Sequence, residues 1–404
     1  MPRYLLVLFL LATSFSSIAQ EQNFNNCIVG LQTDARQQNI PDWVVDEVLP
    51  SLKYQERVIE LDRAQPEFTQ TFANYFNKRV TSGRIDKART LYRQHGEFLN
   101  TLTEKYGVPG QYLIAFWGLE TNFGSYLGKM PTLDVLATLA CDQRRSEYFG
   151  RELITALKLL EREQLLPSEM KGSWAGAMGH TQFMPSAYMR FAIDGDNDGK
   201  IDLWKSPEDA LASAANFLKH LGWQTNERWG REVKLPKDFP YASSGLKQKQ
   251  TLDVWTKLGV TRSNGLPLPN ADMQSAVLVP LGHTGPAFLV YDNFSVIMRW
   301  NYSESYAIAV GHLADRTVGG DDLRQSLSIK APSLSPQLIR KMQQGLNEKG
   351  FDAGKADGII GSGTRAALRD FQSQQGLVAD GFPGFSTFTA LNIATDTPLK
   401  TKLE

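Results

Sequence analysis

One glutamate, Glu120, ends a run in which nearly every residue is apolar. Tyr112, Leu113, Ile114, Phe116, Trp117 and Leu119 precede it, and Thr121-Asn122-Phe123-Gly124 follow. A carboxyl group at the rim of an apolar core loses hydration, which disfavours its charged form and raises its pKa. That is the condition for a general acid working near neutral pH. A glutamate that caps a helix end or forms a salt bridge gives the same pattern, and on the residues alone both readings stand.

A second constellation is acidic. Asp194-Gly195-Asp196-Asn197-Asp198-Gly199-Lys200-Ile201-Asp202 follows the opening of an EF-hand loop, with Asp194, Asp196, Asp198 and Lys200 at alternate positions and glycine at the sixth. Oxygen ligands so spaced suit a hard cation such as calcium, here in a structural role. The twelfth position is Lys205, so the standard loop does not close, and a longer one reaches Glu208 or Asp209. A solvated acidic turn reads the same way. The five histidines form no H-E-x-x-H or Cys/His cluster, so no catalytic metal is expected. Cys27 and Cys141 are the two cysteines. In an oxidising compartment such a pair reads as one disulfide, with two buried thiols as the alternative.

The elements that must position these groups are mainly helical, an α+β composition overall. Leu91, His95, Leu99, Leu102 and Tyr106 share one helix face, closed by Gly107 and Pro109. The run from Gln111 to Glu120 is apolar all round and predicts a helix buried on every side, with Gly124 as its cap. Further helices fit Phe149 to Glu163 and Pro207 to His220. Between Glu232 and Trp300, Pro and Gly alternate with short β-type runs, Ala276 to Val279 and Phe288 to Tyr291, which predicts a small β-containing insertion. Composition shifts to Gly, Asp, Ser and Pro around Thr317 to Pro336, as a linker does. Beyond it, Asp357-Gly358 with Thr364 is echoed by Asp380-Gly381 with Thr387. Each Asp-Gly predicts a turn and each Thr a helix start, with Leu368 and Phe371 pointing inward between them.

The first 19 residues read as a cleaved signal peptide. Arg3 is followed by apolar Tyr4 to Ala12 and by the small-residue site Ser17-Ile18-Ala19. The apolar stretch is short for a membrane span, and no cysteine starts the mature chain, so neither a membrane anchor nor a lipid anchor is expected. With 43 basic and 43 acidic side chains the net charge is zero, which removes general attraction to nucleic acid or an anionic membrane.

The E-T-N-F-G stretch resembles the catalytic motif of lysozyme-like lytic transglycosylases. From roughly Phe24 to Leu313 the chain resembles the membrane-bound lytic transglycosylase B family. Four further stretches carry the likeness: Cys141 to Arg145; Gly172 to Gly179 running into Gln182 to Ser186; the Asp194 loop; and Arg299 to Ser303 with Tyr306-Ala307. Ser333 to Ile393 resembles a three-helix peptidoglycan-binding module, through its D-G-x-x-G-x-x-T and F-Q-x-x-x-G-L patterns. Trp300 departs from the family, which often has tyrosine there.

The resemblance implies a periplasmic enzyme acting on peptidoglycan glycan strands, in domains 20–320 (lysozyme-like), 321–332 (linker), 333–393 (peptidoglycan-binding) and 394–404 (tail). Glu120 becomes the acid/base. Ser173 and Asn301 hold the reacting sugar, Gln182, Arg144 and Arg145 its polar parts, and Tyr75 and Tyr306 flank the cleft. Each has a bland reading: Ser and Asn bonding to backbone, arginines pairing with Asp142 or Glu147, tyrosines in a core. For calcium, the likeness favours closure on Asp209. The cleft residues so assigned include one carboxylate where most glycosidases need two. The implied product is therefore an intramolecular 1,6-anhydro-muramic end, cut at the MurNAc-GlcNAc bond. A muramidase using water, or a non-catalytic wall-binding protein, are the alternatives. Proteins of wall synthesis or remodelling are the protein partners such an enzyme would meet, none of them identifiable.

Overall fold

The computed structural model describes residues 4–64, 70–329 and 331–395, with side chains from Glu21 onward except that of Ala64. The side chains of the expected signal peptide, and residues 396–404 of the expected tail, lie outside the described residues. No described helix is long and apolar enough to cross a membrane. The chain forms two compact units, one of Met1–Gln65 with Phe116–Phe217, the other of Pro66–Ala115 with Leu218–Glu404.

In the first unit the helix Tyr4–Gln37 is tied by the Cys27–Cys141 disulfide to the end of the helix Thr132–Ala140. Thr132–Ala140 is buried at every position but Asp134 and packs on the strongly amphipathic helix Ser146–Arg162. That second helix starts three residues before the predicted Phe149. A short antiparallel pair, β1 (Met130–Pro131) and β2 (Lys171–Gly172), joins the chain before and after these helices.

The second unit opens with helices Phe72–Arg79, Ser82–Gln94 and Gly96–Tyr106. The single face read through Leu91 to Tyr106 is interrupted: His95, followed by a glycine that contributes little helix propensity, separates two helices. Leu91, Leu99, Leu102 and Tyr106 are nonetheless all buried, because the apolar spacing continues across the break. A five-stranded sheet follows, built from β3 (Gly230–Lys234), β4 (Gln250–Thr251), β5 (Thr261–Arg262), β6 (Gln274–Leu278) and β7 (Ala287–Val290). Its order is β4-β6-β7-β3-β5, and every pairing is antiparallel. Val233, Trp255, Val277 and Leu289, none of them exposed, form the core beneath it.

The C-terminal repeat folds as helices Pro336–Glu348, Ser362–Gln374 and Phe385–Ala390 around Met342, Leu346, Leu368, Phe371 and Phe388. Its two copies share one internal device. Gln343 Nε2 donates to Asp357, to the Ile359 carbonyl and to Thr364, while its Oε1 accepts from the Gly358 N–H. Gln372 repeats this with Asp380, Phe382, Thr387 and Gly381. The threonines therefore do not cap their helices. Gly361 and Gly384 occupy the cap positions, and Thr364 and Thr387 are buried partners of a glutamine amide. Asp380 also accepts from the His283 N–H at 2.9 Å and meets its imidazole Nδ1 at 2.6 Å, which fastens the repeat to the rest of its unit.

Candidate active site

The helix Gly110–Thr121 needs no polar face, because residues 112–119 are all buried. Glu120, its penultimate residue, is the first to emerge and is half-buried. The chain then turns through three successive left-handed residues, Asn122 (φ 50°), Phe123 (φ 59°) and Gly124 (φ 77°). Two non-glycine residues in that region store strain, which only strong surrounding contacts maintain. The contacts are visible. Thr121 Oγ1 donates to the His180 carbonyl at 2.8 Å and accepts from the Gly124 N–H at 3.0 Å. Trp117 Nε1 donates to His180 Nδ1 at 2.9 Å. Gly124 presses on the same ring, since a Cβ there would come within 2.2 Å of His180. Burial lowers the His180 pKa, which keeps the imidazole neutral and able to accept from Trp117.

The segment after the turn gathers two more expected residues. Gln182 (φ 52°) donates from Nε2 to the carbonyls of Leu127 and Gly179. Gly128 lies so close to the Gly172 carbonyl that a Cβ would approach it to 2.1 Å. Ser173, the next residue, is half-buried, and its Oγ accepts from the N–H groups of Ala175 and Ala177. The Glu120 turn, Ser173 and Gln182 thus share one set of interlocked loops in the first unit. Asn301, Tyr75 and Tyr306 belong to the second unit. Asn301 caps the helix Asp292–Trp300, Tyr306 is buried in the first turn of the helix Glu304–Thr317, and half-buried Tyr75 stacks under Arg79.

Arg144 and Arg145 pair with neither Asp142 nor Glu147. Both grip Asp62, whose side chain is 2% exposed: Arg144 Nε at 2.7 Å and Nη2 at 2.8 Å, and Arg145 through Nη2. Burial pushes the Asp62 carboxyl up, but hydrogen bonds from the two guanidinium groups outweigh it and hold the carboxyl below its usual value. Asp142 is taken by Arg63 at 2.6 Å. One aspartate thus fixes two arginines that remain more than a third exposed.

In the acidic loop, carboxylate oxygens of Asp194, Asp196 and Asp209 lie within 4.8 Å of one another. Asp209 is 1% exposed and accepts the Gly195 and Asp202 N–H groups, both at 2.7 Å. Burial raises its carboxyl pKa against those two bonds, and Asp196 adds to the rise. Asp198 stands outside this trio and accepts from the Lys200 N–H. Three converging carboxylates, one of them buried, form an all-oxygen set suited to a hard cation.

The sequence reading missed His180 and Asp62. Gly179-His180-Thr181 runs directly into the Gln182 motif, a signal of proximity but not of role. Nothing near Asp62 marks it as the partner of residues 82 and 83 positions away.

Residues 23–315 match the transglycosylase SLT domain family and residues 335–391 a peptidoglycan binding domain family. Over 309 residues the chain is 33% identical to membrane-bound lytic murein transglycosylase B of Escherichia coli (strain K12), covering 74% of this chain and 82% of that protein. The structure of SltB3 from Pseudomonas aeruginosa in complex with NAG-anhNAM-pentapeptide is similar with TM-score 0.87 and 38% identity, covering 91% of this chain and 99% of that one. Escherichia coli lytic transglycosylase Slt35 in complex with calcium follows at TM-score 0.64 and 32% identity, covering 73% and 93%.

Proposed function

Because the chain belongs to the transglycosylase SLT family, and is a peptidoglycan lytic transglycosylase of lysozyme-like fold, we propose that Glu120 serves as both its acid and its base. The observation that carries this is a half-buried carboxyl at the end of an otherwise buried helix, next to a strained turn latched by His180. Glu120 protonates the glycosidic oxygen, and the bond from that oxygen to C1 of muramic acid breaks. The sugar's N-acetyl group supports the cationic centre, with Ser173 and Asn301 orienting it. Ionised Glu120 then removes the proton from the C6 hydroxyl, whose oxygen closes on C1 to form the 1,6-anhydro ring. No water is consumed. SltB3 in complex with NAG-anhNAM-pentapeptide supports this product. Gln182 holds polar sugar groups, Arg144 and Arg145 meet carboxylates of muramic acid or its stem with the forked geometry that suits them, and Tyr75 and Tyr306 border the cleft.

In the same reading a structural calcium ion is held by Asp194, Asp196 and Asp209, with Asp198 and the Lys200 carbonyl completing the loop, and Slt35 in complex with calcium supports it. Residues 1–19 direct export to the periplasm, where the disulfide is stable. Residues 20–320 are catalytic, 321–332 link, and 333–393 bind the wall.

Mass spectrometry of digested wall sacculi tests the chemistry. The parent enzyme should leave muramic ends one water lighter than hydrolysis products. Glu120→Gln should lose on the order of a hundredfold or more in rate while keeping its melting midpoint. Reducing ends from the parent, or a near-parental rate in the variant, would overturn the assignment.

A further inference from the structure

We propose that a cavity on the second unit, lined by none of the residues assigned to the cleft, binds a carboxylate of the wall's peptide stem. The cavity holds about 510 Å³ and lies where β3 and β5 meet the far end of the helix Glu304–Thr317. Asp315, on its wall, is nine residues along that helix from Tyr306, roughly 13 Å at the helical rise.

The argument is one of charge. Arg228, Arg231, Arg262 and Arg324 line the cavity with Glu232, Asp315, Asp321 and Asp322. All four acids have partners. Asp315 takes Arg228 at 2.7 Å and Trp229 Nε1 at 3.0 Å, and Asp321 takes Arg324 at 3.3 Å. Asp322 lies 3.7 Å from Arg316 and 3.5 Å from His312, and Glu232 accepts the main-chain N–H groups of Arg324 and Gln325. Arg231 and Arg262 remain. Among the described residues neither guanidinium pairs with a carboxylate and the Nε of each is buried without an acceptor, while Arg231 also meets the Tyr291 hydroxyl. Val233 opposes Arg262 in the β3–β5 register, so Arg231 and Arg262 are diagonal neighbours, with backbones about 7–8 Å apart. Burial, then the like charges of Arg228 and Arg262, lower the Arg231 pKa against the pull of Tyr291, whose ring it covers at 5.7 Å.

Two partly buried guanidiniums side by side that no carboxylate contacts directly, with Asp315 balancing Arg231 only at longer range, are costly, and a bound oxyanion lowers that cost. Their planar forks fit carboxylate. Resting on the lytic transglycosylase reading, the carboxylate at hand is that of the peptide stem, on the strand being cut or on its neighbour. The site therefore holds substrate through residues other than those assigned to the reacting bond.

Calorimetry on the full chain carrying Glu120→Gln tests binding apart from turnover. The probes are a free stem tetrapeptide, the same peptide with its carboxylates amidated, and inorganic phosphate. The free peptide should bind, the amidated one should not, and phosphate should bind more weakly. Arg231→Gln with Arg262→Gln should weaken the peptide roughly tenfold or more. Arg262→Lys keeps the charge and loses the fork, so it should weaken the peptide several-fold with a parental melting midpoint, should the double variant not fold. Equal binding of the amidated peptide, tighter binding of phosphate, or unchanged affinity in the variants would overturn the proposal. Failure of the lytic reading would instead appear in the product masses, whatever the calorimetry gives.

Discussion

His180 carries more of the site than any residue that touches substrate in the proposed mechanism. Its carbonyl takes the Thr121 hydroxyl, its Nδ1 takes the Trp117 indole, and its ring fills the space that Gly124 leaves open. Because Nδ1 accepts, the ring must be neutral, and burial depresses its pKa below the ordinary histidine value of about 6.5. In the unfolded chain the same histidine takes up its proton near that ordinary value. The unfolded state thus binds more protons below pH 6.5, and the stabilisation fully present above it is lost as pH falls toward the folded value. Thermal melts from pH 8 to 5 should show this decline, and His180→Gln should flatten part of it, the rest belonging to buried His312, whose pKa is lowered to about 4 by the same cause. An unaltered slope in the variant would mean that the latch does not depend on a neutral ring.

Among the elements, the acidic loop gains most from a ligand. Asp194, Asp196 and Asp209 repel one another, and hydrogen bonds from backbone N–H groups relieve them only in part. An ion bound to the folded state stabilises it by mass action, about 2.7 kcal/mol at a hundredfold excess over Kd. For a chain of 404 residues that corresponds to a rise in melting midpoint of roughly 3 °C on adding calcium, reversed by chelator. Asp209→Asn should abolish most of the rise, since Asp209 is the buried member of the trio. Magnesium, which demands a tighter octahedral shell, should do less. A midpoint indifferent to both ions would leave the loop a solvated turn.

At the scale of the whole molecule, the C-terminal repeat is fastened to its neighbours as well as linked by sequence. Asp380, 5% exposed, serves two partners at once: it completes the Gln372 cradle inside the repeat and receives His283 from outside it. Asp380→Ala should lower stability by about 1.5–3 kcal/mol, the range for a hydrogen bond to a charged group. Limited proteolysis between residues 317 and 335 should then speed up, while cleavage of soluble glycan fragments persists. Deleting Ser333 onward should weaken retention on insoluble wall, because a module held near its polymer raises effective concentration without joining the chemistry. If soluble fragments also cease to be cut, the repeat takes part in the reaction.

Whatever depends on spacing between near neighbours could be read in the amino-acid order alone. The all-apolar run makes the Glu120 helix buried, Leu368 and Phe371 point inward, and Pro207–His220 is a helix to the residue, since a period of 3.6 is a local property. The aspartates of the loop and the two cysteines were likewise visible as types and counts. Only the tertiary structure decided which groups meet across the fold. It set Asp62 beneath Arg144 and Arg145, Asp209 beside Asp194, the Thr364 and Thr387 hydroxyls against glutamine amides, and left the Nε of Arg231 and of Arg262 without an acceptor among the described residues. The pairings among these residues join positions 15 to 83 apart, where local periodicity carries no information. A buried polar group must find a partner, but the chain's order does not say which one, because packing of the surrounding apolar residues determines what comes within hydrogen-bond reach.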